Sequence, residues 1–163
     1  MKRSILPVLL LALLAGRDLP RVRSDAAAGR AADDIMEAVF RQQVEDLLDT
    51  DARARGIVLC LAVDPGAAPQ SVSREFLARF RAEASVRRAA ECEARPEGAL
   101  TLGRPHPAVI VTAGPIEWIA ADEAWVTVSR FRSLENNRRW PYRVVHEPTG
   151  WVSLGPIIKQ APS

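Results

Sequence analysis

Apolar positions along the chain follow two periods. Over residues 30–50, Ile35, Val39, Phe40, Val44, Leu47 and Leu48 recur at three-to-four spacing, while Arg41, Gln42, Glu45 and Asp49 take the opposite side. That pattern predicts an amphipathic helix laying one stripe on another layer. Asp34 and Glu37 have capping-box spacing, and Asp33 adds negative charge where a helix N-terminus welcomes it. After Gly56 the pattern becomes an unbroken apolar run, Ile57 to Val63, closed by Asp64-Pro65-Gly66. A run this short and this rich in branched residues predicts a buried strand. A second helix is expected over 73–84, with Ser73 as its N-cap, Val72 and Leu77 as a hydrophobic staple, and Phe76, Leu77 and Phe80 facing the core. Residues 86–90 fit a short strand or an extended link. Residues 95–107 hold Pro96, Pro105 and Pro107 with Gly98 and Gly103, and are expected to form a surface loop.

The last third carries most of the strand signal. It predicts four strands, 108–119, 124–132, 140–147 and 151–158, and contains all four tryptophans and the single tyrosine. The links are short and rich in turn residues, Glu135-Asn136-Asn137 and Glu147-Pro148-Thr149-Gly150 among them, which favours antiparallel neighbours. Along 124–132, Trp125, Thr127, Ser129 and Phe131 share one face and Val126, Val128 and Arg130 the other. Neither face is purely polar, so the sheet is expected to curl or to be covered on both sides near one end. Gly114-Pro115 interrupts the first of these strands and predicts a bend or bulge there.

The order helix, strand, helix, four antiparallel strands predicts an α+β domain: N-terminal helices packed on a curved, mainly antiparallel sheet. It resembles the cystatin-like roll of proteins similar to nuclear transport factor 2. It is also similar to a group of uncharacterised exported bacterial proteins, through Cys60, Glu91-Cys92, Tyr142-Arg143-Val144-Val145 and Gly150-Trp151-Val152. The resemblance spans roughly residues 30–158 and implies a fold and a compartment; it implies no activity.

Composition changes this picture at the N-terminus. Lys2 and Arg3 precede an apolar run from Ile5 to Ala15, and Ala26-Ala27-Ala28 supplies small residues for cleavage. That is the layout of an export signal, and the run falls below the roughly 20 residues of a membrane-spanning helix. Residues 1–28 are therefore expected to be a leader, residues 29–163 a single domain, and the product periplasmic or extracellular, with no integral membrane span once the leader is removed. Of 22 basic and 20 acidic residues, five and two lie in 1–28, so the remainder carries 17 against 18, a net charge of −1. The arginines alternate with acids, and no nucleic-acid footprint emerges.

Two cysteines in an exported chain, Cys60 and Cys92, predict a disulfide. The spacing of Cys60, Cys92, His106 and His146 matches no compact metal-ligand pattern, so neither metal nor other cofactor is expected. Nucleophile elbows and phosphate-binding glycine loops are absent from the sequence. Trp118, Trp125, Tyr142 and His146 are the pocket candidates. The leading expectation is a non-catalytic module of the cell envelope that binds a small molecule or an envelope protein. The alternative is a small isomerase- or cyclase-like enzyme with His146 and a carboxylate (Glu117, Asp122 or Glu147) in a cavity of the roll.

Overall fold

The computed structural model describes residues 25–48 and 55–158. The expected leader lies largely outside them: Lys2, Arg3 and the run from Ile5 to Ala15 are not described, and Ala26 to Ala28 fall in the first turns of helix α1, Asp25–Leu47. The architecture is α+β, one long helix on a mixed, mostly antiparallel open sheet.

Helix α1 begins well before Asp34, so Asp34 and Glu37 do not form a capping box. They lie inside the helix, and both accept hydrogen bonds from Arg79 Nη1 at 2.8 Å. The stripe behaves as its period demands. Ile35, Val39 and Phe40 are fully buried, with Met36, Val44 and Leu48 close behind, while Leu47 sits half-buried at the margin of the core. At 1.5 Å per residue the helix is about 35 Å long, enough to reach across several strands.

The second helix, α2, is shorter than its pattern suggests. It covers Arg74–Leu77 and continues as a 3₁₀ turn over Ala78–Phe80. Ser73 caps it as expected, its Oγ accepting from the Phe76 amide at 3.0 Å. Beyond Phe80 successive three-residue turns, Glu83 N–H to Phe80 O and Val86 N–H to Glu83 O, carry the chain away. Strand pairing by Val86 overrides the helix propensity of Arg81-Ala82-Glu83-Ala84. Phe40, Phe76 and Phe80 form an aromatic cluster with ring centroids 5.9–6.5 Å apart, which locks α2 to α1.

The strands are β1 (Val58–Val63), β2 (Gln70–Ser71), β3 (Val86–Arg88), β4 (Cys92–Arg95), β5 (Gly98–Thr101), β6 (Pro107–Trp118), β7 (Glu123–Ser133), β8 (Asn136–Glu147) and β9 (Gly150–Pro156). Their order is β2-β1-β6-β7-β8-β9, with β3 also on β1 and the β4–β5 hairpin attached to β6. β1 runs parallel to both β3 and β6, and β6 to β9 form the expected antiparallel meander. The region expected to be a loop, 95–107, thus contributes a hairpin strand, because Cys92–Arg95 and Gly98–Thr101 pair with each other and β5 then pairs with β6.

Gly114 explains the bend in β6. Its φ is +120°, and a Cβ there would overlap the Asp64 carbonyl oxygen. Only glycine lets β6 pass this close to the end of β1, and the β6–β7 register shifts between Ala113 and Ile116.

The two faces of the sheet differ. Val109, Val111, Val126, Val128, Tyr142 and Val144 meet α1. On the outer face a small second cluster, Cys60, Ala99 and Ala108 with Ile110 and Phe131, lies under the β4–β5 hairpin, so the described residues cover the sheet on both sides near this end. A disulfide joins Cys60 to Cys92 across a Cα–Cα distance of 6.4 Å, inside the range a bridge requires. The pairing of Leu59 with Val86 and of Leu61 with Arg88 brings Cys92 there.

Candidate functional site

The β8–β9 hairpin and the N-terminal half of α1 enclose an open cleft of about 480 Å³. The sequence dictates its aromatic wall. A two-residue turn between Glu147 and Gly150 places His146 directly opposite Trp151. β6 brings Trp118, which pairs with the buried Ala124, against Trp151 but outside the cleft lining. Trp151 packs edge-on against both neighbours, with centroids 5.6 Å from Trp118 and 5.1 Å from His146. Trp118 remains 44 % exposed.

The helix supplies the charged wall. Arg30, Asp34, Glu37 and Arg41 line it. Arg41 reaches Glu37 at 2.6 Å, and Arg79 bridges Asp34 and Glu37 from the turn after α2. The bonds from Asp34 and then Glu37 hold the Arg79 guanidinium above its ordinary pKa, against the opposing effect of burial. The cleft therefore pairs an aromatic side with a side of partly neutralised charge.

The four pocket candidates do not converge as a set. Trp118 and His146 meet through Trp151. Trp125 lies on the outer face, 37 % exposed, opposite Glu117 and Arg143. There Arg143 grips Glu123 with two bonds of 2.9 and 3.0 Å. That grip holds the Glu123 carboxyl below the usual carboxylate range, with a further bond from Trp125. Tyr142 is 2 % exposed beneath α1, its hydroxyl accepting from Arg130 at 3.1 Å.

His146 donates its backbone N–H to the Asp122 carbonyl at 2.8 Å. Among the described residues its imidazole touches Trp151 and is hydrogen-bonded by no carboxylate. His106 is exposed in the turn after β5, where its backbone N–H donates to Thr101 Oγ1. Among the described residues no group of His, Cys, Asp and Glu is arranged to hold a metal ion, and no helix is long and apolar enough to cross a membrane.

Two features escaped sequence reasoning. Trp151 follows from counting residues across the Pro148-Thr149 turn, a signal that was available. The network around Gln43 had none: Gln43 is fully buried and accepts from Arg130 Nε at 2.6 Å, a pairing between positions far apart in sequence. No protein-family model, no curated protein and no solved structure matches this chain.

Proposed function

We propose that this is an exported, non-catalytic domain of the cystatin-like roll type that binds a small molecule with an apolar or sugar-like ring face in the cleft beside Trp151. The observation that carries this reading is the Trp151–His146 pair lining a cleft of about 480 Å³, with Trp118 packed edge-on against Trp151, within the range of small-molecule sites. Aromatic faces left partly exposed beside polar groups suit such ligands. Export is supported by the signal-like start and the disulfide. The binding reading is preferred to the isomerase-like one because no carboxylate among the described residues is hydrogen-bonded to the His146 imidazole, and because Tyr142 is engaged with Arg130.

The test is native mass spectrometry of the protein purified gently from the envelope fraction of its host. A co-purifying small molecule is expected on the wild type and on Trp125→Ala, and is expected to be lost from Trp151→Ala. A molecule retained by Trp151→Ala and lost from Trp125→Ala would move the site to the outer face and overturn the assignment. N-terminal sequencing of the same material checks export: a start between about Gly16 and Ala31 is expected, and an intact Met1 refutes it.

A further inference from the structure

At the other end of α1, where β7 and β8 approach their connecting turn, a groove of about 200 Å³ is lined by Leu47, Arg130, Arg132, Asn136, Arg138 and Trp140. Arg130 and Arg138 stand directly opposite each other in the β7–β8 ladder. Like charges in that position repel and destabilise the pair. Arg130 is held in place by Gln43, by Asp46 at 3.0 Å and by Tyr142, and lies over the Trp140 ring at 5.4 Å. Its bonds to the described residues leave from Nε and Nη2, and Nη1 makes none with them. Among the described residues Arg132 and Arg138 have no carboxylate partner. Among the described residues, three guanidiniums thus face one carboxylate, Asp46, an excess of two positive charges beside an indole face.

We infer that this groove is a binding site for a phosphomonoester dianion carrying a planar or apolar body. A monoester phosphate bears about −1.5 to −2 charge near neutral pH and offers three strong acceptor oxygens. Guanidiniums are the side chains best matched to it, through paired N–H donors. The dianion neutralises the excess and relieves the Arg130–Arg138 repulsion, while Trp140, Leu47 and Val109 supply apolar contact for the body. The groove is open to solvent, so the phosphate can sit among the guanidiniums while part of the body extends outward. The inference is independent of the aromatic cleft, which lies at the opposite end of the helix.

The probes are phenyl phosphate, inorganic phosphate, benzoate and dimethyl phosphate, titrated calorimetrically into the full disulfide-bonded chain. Phenyl phosphate is expected to bind tightest, inorganic phosphate more weakly, and the two monoanions least. Binding is expected to fall as pH drops below about 6, where the phosphate loses its second charge. Arg138→Gln is expected to weaken phenyl phosphate by about tenfold or more, the usual worth of a charged hydrogen bond, while leaving the ligand-free melting temperature unchanged or raised. Arg139→Gln, whose partner Ser129 lies on the other face, is expected to bind as the wild type does. Equal binding of benzoate and phenyl phosphate, or no heat from any probe at millimolar concentration, would overturn the site. So would recruitment to vesicles of phosphatidic acid in phosphatidylcholine without binding of the soluble monoester.

Discussion

An arginine clamps each half of helix α1, and the two clamps are built from different partners. Toward the N-terminus Arg79 comes from the turn after α2 and grips two carboxylates, Asp34 and Glu37, whose side chains are 52 % and 24 % exposed. Toward the C-terminus Arg130 comes from the sheet and grips the buried amide of Gln43, the buried hydroxyl of Tyr142 and the outlying Asp46. Formal charge makes the first look stronger. Solvent reverses the order: exposed ion pairs are screened and contribute little, whereas a buried polar group that loses its partner costs its full desolvation. The contrast also separates the two clefts. The charges beside the aromatic cleft are largely spent on one another, and those in the arginine groove are not.

The largest expected effect calibrates the comparison. Phe40 lies between the clamps in sequence, fully buried against Phe76 and Phe80. Phe40→Ala should cost about 3–5 kcal/mol in chemical denaturation; a loss below about 1 kcal/mol would mean that α1 does not depend on its core face. Reducing the Cys60–Cys92 bridge, with a sequence separation of 32, should cost roughly 3–4 kcal/mol in the chain-entropy model. Because the bridge sits under the hairpin, away from both clamps, this loss should add to either clamp variant within about 0.5 kcal/mol. Thiol titration of the unfolded protein without reductant should find no free thiol. Arg130→Met should cost about 1–3 kcal/mol with little dependence on salt, since Gln43 and Tyr142 lose a partner away from water. Arg79→Met should cost less than about 1 kcal/mol, and the difference should shrink further in 1 M salt. Equal losses with equal salt dependence would erase the distinction between the clamps.

How far these features were legible in the sequence depended on the range of the contacts behind them. The α1 stripe, the capping by Ser73, the bend at Gly114 and the meander from β6 to β9 follow from periods and turn residues, which are local. The bridge was legible from the expected compartment and the cysteine count; of its geometry only a short strand or extended link over residues 86–90 was legible, which the structure resolves as β3 beside β1. Asp34 and Glu37 misled because the spacing of a capping box is also the spacing that lets two carboxylates on one helix face share an arginine. The β4–β5 hairpin was hidden by Pro96 in its turn and by Pro105 and Pro107, which lie beyond β5 and at the start of β6, outside the residues that pair β4 with β5. The Gln43–Arg130–Tyr142 network joins a helix to two strands, and no short-range pattern announces such a triple contact. Trp125 and Trp118 read alike as sequence. The register shift between Ala113 and Ile116 brings Ile116 and Trp118 to the helix side, while Trp125 stays on the outer face with Glu117.

The parallel placement of β1 between β3 and β6 has a consequence in time. A chain is made from its N-terminus, so α1 and β1 emerge first, yet Val58 must wait for Ala108 and Val63 for Ala113. Until then the stripe of Ile35, Val39, Phe40 and Val44 has only the short β1–β3 part of the sheet to cover, without β6 to β9. Strands β6 to β9 need only their own neighbours, each reached through a short turn, and such local pairing is fast where long-range parallel pairing is slow. The earliest-made half is therefore the last to be satisfied. A nascent chain halted before Pro107 displays an adhesive helix covered only by α2 and the short β1–β3 ladder, and this is the interval in which a holding chaperone has most to protect.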